Sequence, residues 1–117
     1  MSDEEEKRTA ENIAELNDKC RKAMGVAGRL VQTAGICALP ATVQSAIRER
    51  VEKYDAFGRG NDPYGERDFG AFKIAGVPQS IFWKIDYYAP DLQGGSADPA
   101  DPARTVRVLT IMLASEY

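Results

Sequence analysis

The densest run of reactive groups in the chain is NDPYGERDFG, Asn61 to Gly70, where Asp62, Glu66 and Asp68 supply carboxylates, Arg67 a guanidinium, Tyr64 a phenol and Asn61 an amide. Oxygen ligands at alternating places suggest a site for a hard cation. The order that a calcium loop needs, with glycine at the sixth place and a closing glutamate at the twelfth, is absent, so no metal site is expected. Ordinary turn chemistry accounts for several of these residues. Asn61-Asp62-Pro63 forms a turn, Gly65 supplies a positive φ, and Asp68 is expected to cap, or to pair with Arg67 or a neighbouring amide. What turn chemistry leaves unexplained is a polar and aromatic surface suited to recognition.

A second group lies on SIFWKIDYYA, Ser80 to Ala89. Alternation along a strand sends Ile81, Trp83, Ile85 and Tyr87 to one face and Phe82, Lys84, Asp86 and Tyr88 to the other. Lys84 and Asp86, two apart on one face, are placed to form an ion pair flanked by two aromatic rings, a composition that suits a protein partner. The candidate binding set is therefore Asn61, Asp62, Tyr64, Glu66, Arg67, Asp68, Lys84, Asp86 and Tyr88. No catalytic residue and no cofactor is assigned.

The composition narrows the chemistry further. The 117 residues contain no histidine, which removes Ser-His and Cys-His nucleophile pairs and histidine metal ligands together. A net charge of -3, with no clustered Lys/Arg stripe beyond a small patch of Arg48, Arg50 and Lys53, disfavours nucleic acid. Cys20 and Cys37 lie in unrelated segments without a C-x-x-C, so both are expected as small buried side chains rather than a disulfide or zinc site. No apolar stretch approaches the roughly 18 residues of a membrane span, and Met1 to Glu6 is acidic where a signal peptide is basic, so a cytoplasmic protein is expected.

The elements that must position these groups follow from periodicity. Ser2 to Met24 reads as a helix, opened by Ser2 and Glu5 as a capping box and closed by Lys19, Arg21 and Lys22 with Gly25 as C-cap. Ile13, Leu16, Cys20 and Met24 form a narrow apolar stripe on it, to be covered by docking on its own domain or by pairing two copies into a homodimer. Gly28 to Thr33 is a short strand, with Ala34 and Gly35 as a turn. A helix follows from Pro40, with Leu39, Val43, Ile47, Val51 and Tyr54 on one face. Ala71 to Ala75, Ser80 to Ala89 and Thr105 to Ala114 are strands, and Pro90 to Ala103 between the last two is an Asp-rich linker without regular structure. The expectation is a single α+β domain over 28–117, behind a helical extension over 1–27. Its sheet is read as an antiparallel three-stranded meander following a short strand and an amphipathic helix.

The strings NDPYGERDFG, FWKIDYY, DPADPA and RVLTIMLASEY resemble a small bacterial family, a domain of unknown function found on plasmids and other mobile elements, over Gly28 to Tyr117. That resemblance implies a setting rather than an activity: toxins, antitoxins, regulators or inhibitors of host defence. The expected function is a non-enzymatic protein-binding accessory factor of a mobile element. The rival is a RelE/ParE-like toxin, ribonuclease or gyrase-directed, in which Arg67, Lys84 and Tyr88 act on a phosphodiester or at an interface. The acidic charge weighs against the rival.

Overall fold

The computed structural model describes residues 2–24 and 28–117. Helix α1 runs from Asp3 to Lys22, with Ser2 extended at its N-cap and its Oγ accepting from the Glu5 amide at 3.2 Å. Four acids in its first turn and Lys19, Arg21 and Lys22 in its last complement the helix dipole. The expected cap at Gly25 lies outside the described residues.

Strand β1 (Arg29–Gln32) is followed by a short helix α2 (Ala34–Cys37), where a turn was expected, and then by α3 (Ala41–Glu52). Strands β2 (Phe69–Phe72), β3 (Ile81–Tyr88) and β4 (Val106–Leu113) complete one four-stranded sheet in the order β1-β4-β3-β2. Strands β2, β3 and β4 pair antiparallel, as the meander reading expects, but β1 pairs parallel with β4, from Arg29 beside Val108 to Gln32 beside Ile111. The sheet is therefore mixed and four-stranded, not a three-stranded antiparallel meander. The cause is connectivity: α2, α3 and the β2-β3 pair all intervene before β4 returns beside β1, and a parallel neighbour needs such a crossover. Nothing local in a four-residue strand encodes that long-range partner.

The three described helices all contribute to one face of the sheet. Trp83, Ile81, Ile85, Leu109 and Ile111 form its core side, packed by Ile47 and Val51 of α3, Ile36 of α2 and Cys20 of α1. The apolar face of α3 is the expected one, with Leu39, Val43 and Tyr54 packed against the same core. On α1 the buried face is Ile13, Ala14, Asn17, Cys20 and Arg21, so the stripe docks on the chain's own core with two polar residues in it, while Leu16 is half-buried. Cys37 is exposed, contrary to expectation, because it ends the short α2 at the surface; Cys20 is buried.

Strand β2 begins two residues earlier than the pattern suggested. Gly70 lies directly beneath the Trp83 indole, and a Cβ there would collide with the Trp83 and Tyr54 rings. A close approach of this kind is one that only glycine permits. The linker is more ordered than its composition suggests. Asp91, Asp98 and Asp101 each accept from the amide two residues on, Gly95 bridges to Tyr88, and a 3-10 turn spans Pro102–Arg104. A second 3-10 turn spans Ala114–Glu116. Among the described residues no helix is long and apolar enough to cross a membrane.

Candidate functional site

The loop before β2 is built from its own side chains. Asn61 accepts from the Gly58 amide at 2.8 Å through Oδ1 and donates through Nδ2 to the Ala56 carbonyl at 3.0 Å and the Tyr54 hydroxyl at 3.1 Å. Gly65 takes the expected positive φ of 72°. Asp62, not Asp68, provides the cap, its Oδ1 accepting from the Arg67 amide at 3.0 Å. Arg67 also has a positive φ, 54°, a conformation costing a residue with a Cβ about 1–2 kcal/mol.

The expected Arg67 partner is also corrected. Its guanidinium grips Asp18 of α1, with Nε at 3.1 Å and Nη2 at 2.7 Å from Oδ2. Such a forked, charge-assisted contact is worth more than an exposed ion pair and helps hold the left-handed turn. Asp18 also accepts from Arg21 at 3.1 Å. Burial pushes the Asp18 carboxyl up, but Arg67 and Arg21 outweigh it and hold it below its ordinary value.

Deeper on the same side lies a polar network that sequence reasoning missed. Asn17 is fully buried and donates to the Glu66 carbonyl at 3.0 Å and to the Tyr87 hydroxyl at 2.7 Å, while its Oδ1 accepts from Arg107 Nε at 2.7 Å. Tyr87 in turn donates to Glu66 Oε1 at 2.8 Å. Burial, with Glu66 beside it, raises the Tyr87 phenol above its ordinary value, so it keeps its proton. Arg107 is buried over the Tyr87 ring at 5.1 Å and donates to the Pro99 carbonyl; desolvation lowers its affinity for the proton. Arg21 closes the far end of α3 by donating to the Val51 and Glu52 carbonyls at 2.9 and 2.8 Å, and it lies over Trp83 at 5.4 Å. A signal for part of this was present: Ile13, Asn17 and Arg21 stand four apart, so helical spacing alone puts them on one stripe.

Lys84, Asp86 and Tyr88 face the other way. The alternation of β3 is as read, with Ile81, Trp83 and Ile85 buried and Phe82, Lys84, Asp86 and Tyr88 half-buried on the side that bears no helix. Lys84 Nζ meets Asp86 Oδ2 at 2.6 Å, and that contact raises the Lys84 ammonium above its ordinary value. Around the pair stand Thr110 and Val108 on β4 and Phe69 on β2, with Met112 beside Phe82 and Val106 beside Tyr88. Phe69, Phe82 and Tyr117 form an edge-to-face trio with centroids 5.5 to 6.0 Å apart. Tyr117 is 76% exposed and Val31, on β1, 43%.

The nine candidate residues thus divide. Asn61, Asp62, Glu66 and Arg67 are engaged with α1, Tyr54 or Tyr87 on the helical side, and Tyr64 stands 80% exposed beside them. Asp68 is half-buried at the start of β2, and burial, with the Glu66, Asp62 and Asp86 carboxylates, raises its pKa. Lys84, Asp86 and Tyr88 belong to the open face. Open grooves of about 550 and 540 Å³ border the loop, one between Ile13 and Tyr64, the other between Arg67 and Phe57. Neither groove is lined by a nucleophile hydrogen-bonded to a base. Among the described residues no group of three or more Cys, Asp or Glu side chains is placed to hold a metal ion.

These features define a two-layer α+β protein whose sheet is covered by helices on one side only. The chain belongs to the family described as protein of unknown function (DUF3768), whose model matches residues 32–116, more than half the sequence. Helix α1, which supplies Asn17, Asp18 and Arg21, precedes the matched span. Neither a curated protein nor a solved structure matches the chain.

Proposed function

We propose that this chain is a non-enzymatic protein-binding module, an accessory factor of a bacterial mobile element, and that it binds through the open face of its sheet. The observation that carries this reading is the asymmetry of the two sheet faces. One face is covered by the three described helices, while the other presents Phe69, Phe82, Tyr88, Val31 and Tyr117 with the Lys84–Asp86 pair and the exposed Arg29 of β1. Aromatic side chains are enriched at the centres of protein interfaces. The absence of histidine and the internal use of Asn61, Asp62, Glu66 and Arg67 direct attention to the sheet rather than the loop. The mobile-element setting rests on the resemblance carried by NDPYGERDFG and FWKIDYY.

The test is affinity purification of the tagged chain from cells that carry it natively, beside the Lys84→Glu and Phe82→Ala variants. A stoichiometric protein is expected with the unaltered chain and lost with both variants, with no growth arrest on expression. Capture that survives both changes but disappears with Tyr64→Ala moves the site to the loop. Growth arrest abolished by Arg67→Ala supports the toxin reading instead.

A further inference from the structure

We infer that the open sheet face pairs with the same face of a second copy, in a two-fold arrangement that sets Lys84 of each chain against Asp86 of the other. This rests on the open face being the binding surface and names its occupant. The motive is the order of groups on the exposed side of β3: aromatic Phe82, cationic Lys84, anionic Asp86, aromatic Tyr88. Read in either direction, that series is its own complement. A two-fold axis lying between the sheets, across the strands and over Ile85, puts Lys84 opposite Asp86 of the second copy and Phe82 opposite its Tyr88.

Strand β4 obeys the same axis, because Ile85 and Leu109 are register partners. Thr110 then faces Val108 of the second copy, while Met112, on the same face, is already buried within its own chain and contributes nothing. Strands from the two sheets run within about 30° of each other, the ordinary aligned packing of two sheets. The alternative axis, parallel to the strands, sets Lys84 against Lys84 and Asp86 against Asp86. Charge therefore selects the antiparallel arrangement, and an isologous interface of this kind closes as a dimer. A foreign partner requires no such self-complementary order.

Area sets the strength. Eight-residue central strands flanked by four-residue edges cover on the order of 400 Å² at about 3.4 Å per residue and about 4.8 Å between strands. Two copies bury on the order of 800–1,000 Å², below the roughly 1,200 Å² of stable complexes, so the pair is dissociable.

Sedimentation velocity of the full chain tests this. The weight-average mass is expected to rise from one chain toward two between about 10 µM and 1 mM, the range suited to an interface of that size. Lys84→Glu and Asp86→Lys, each making the exposed side of β3 single-signed, are expected to remain one chain when alone and to recover the pair when mixed in equal amounts. If either fails to fold by circular dichroism, Lys84→Gln and Asp86→Asn replace them, each expected to weaken self-association by about tenfold. An unaltered chain that stays single throughout, or a mixture that fails to pair, overturns the second copy as occupant. Should a captured host protein still be lost with Lys84→Glu, the binding face stands and only its occupant is wrong. Self-association unchanged in both variants places the contact on α1 or a strand edge and overturns the second copy as occupant of this face, leaving the capture experiment to decide the face itself.

Discussion

Trp83 and Lys84 are neighbours in the chain and belong to surfaces governed by different rules. On the covered face of β3 every group must be packed or paired. Trp83 is fully buried between Tyr54, Phe57 and the Arg21 guanidinium, and Asn17 spends both amide groups on Glu66, Tyr87 and Arg107. Among the described residues only Arg21 Nε and Trp83 Nε1 are buried side-chain polar atoms without a hydrogen-bond partner. On the open face the ion pair is local, between Lys84 and Asp86 two residues apart, and both remain more than a third exposed. The comparison teaches where polarity is structural and where it is available. A buried donor left unpaired costs about 1–3 kcal/mol, so the covered side has little freedom to change. A solvated pair contributes about 0–1 kcal/mol, so the open side can be selected for recognition instead.

The severest way to break the comparison is to remove α1. Deleting residues 2–24 uncovers Trp83 and leaves Arg107 without Asn17, Arg67 without Asp18 and the end of α3 without Arg21. Loss of a cooperative thermal transition is expected. A fragment from Gly28 that melts cooperatively would instead make the helix a separable extension, as the 1–27 boundary anticipates.

Next in size are single changes on the two faces. Trp83→Ala is expected to cost about 3–5 kcal/mol in urea unfolding, because the buried ring leaves a cavity. Tyr88→Ala, on the half-exposed side, should cost less than about 1 kcal/mol. Equal losses would show that both faces are packed, which removes the distinction.

Electrostatic effects are smaller than the loss of Trp83 and of opposite sign. Asp18 has a lowered folded pKa, so its contribution is complete above its unfolded value, near pH 4, and disappears as pH falls through the folded value. Asp18→Asn should therefore cost about 1–2 kcal/mol at neutral pH and much less in acid. Asp68 has a raised folded pKa, so the folded state holds its proton longer and stability falls as pH rises through the interval between unfolded and folded values. Asp68→Asn should slightly raise the melting temperature at pH 7 and leave it unchanged near pH 3. Melting curves of the two variants from pH 3 to 7 should converge on the parent in acid; parallel curves would mean that neither shift is real.

Much of the fold was legible in the residues because its signals are local. The Ser2 cap, the face of α3, the alternation of β3 and the positive φ of Gly65 each depend on a few neighbours. Turn residues, capping and periodicity act within one turn or one pleat, so a linear reading can see them. The Lys84–Asp86 pair was legible for the same reason, being two residues apart on one strand face.

What only the tertiary structure decided are matters of long-range partnership. Arg67 pairs across 49 residues with Asp18, Arg107 across 90 with Asn17, and β1 finds β4 rather than a sequential neighbour. An arginine in a loop carries no mark of which carboxylate it will meet, since charge attracts at any sequence separation and the chain's path alone sets the distance. Asn17 and Arg21 look like the polar side of an amphipathic helix until the sheet is placed beneath them. The sequence determined which faces exist. Packing determined that the loop and the Lys84 strand face look in opposite directions, because a sheet has two sides and the helices can cover the one that Trp83 fills while leaving the other to water or a partner.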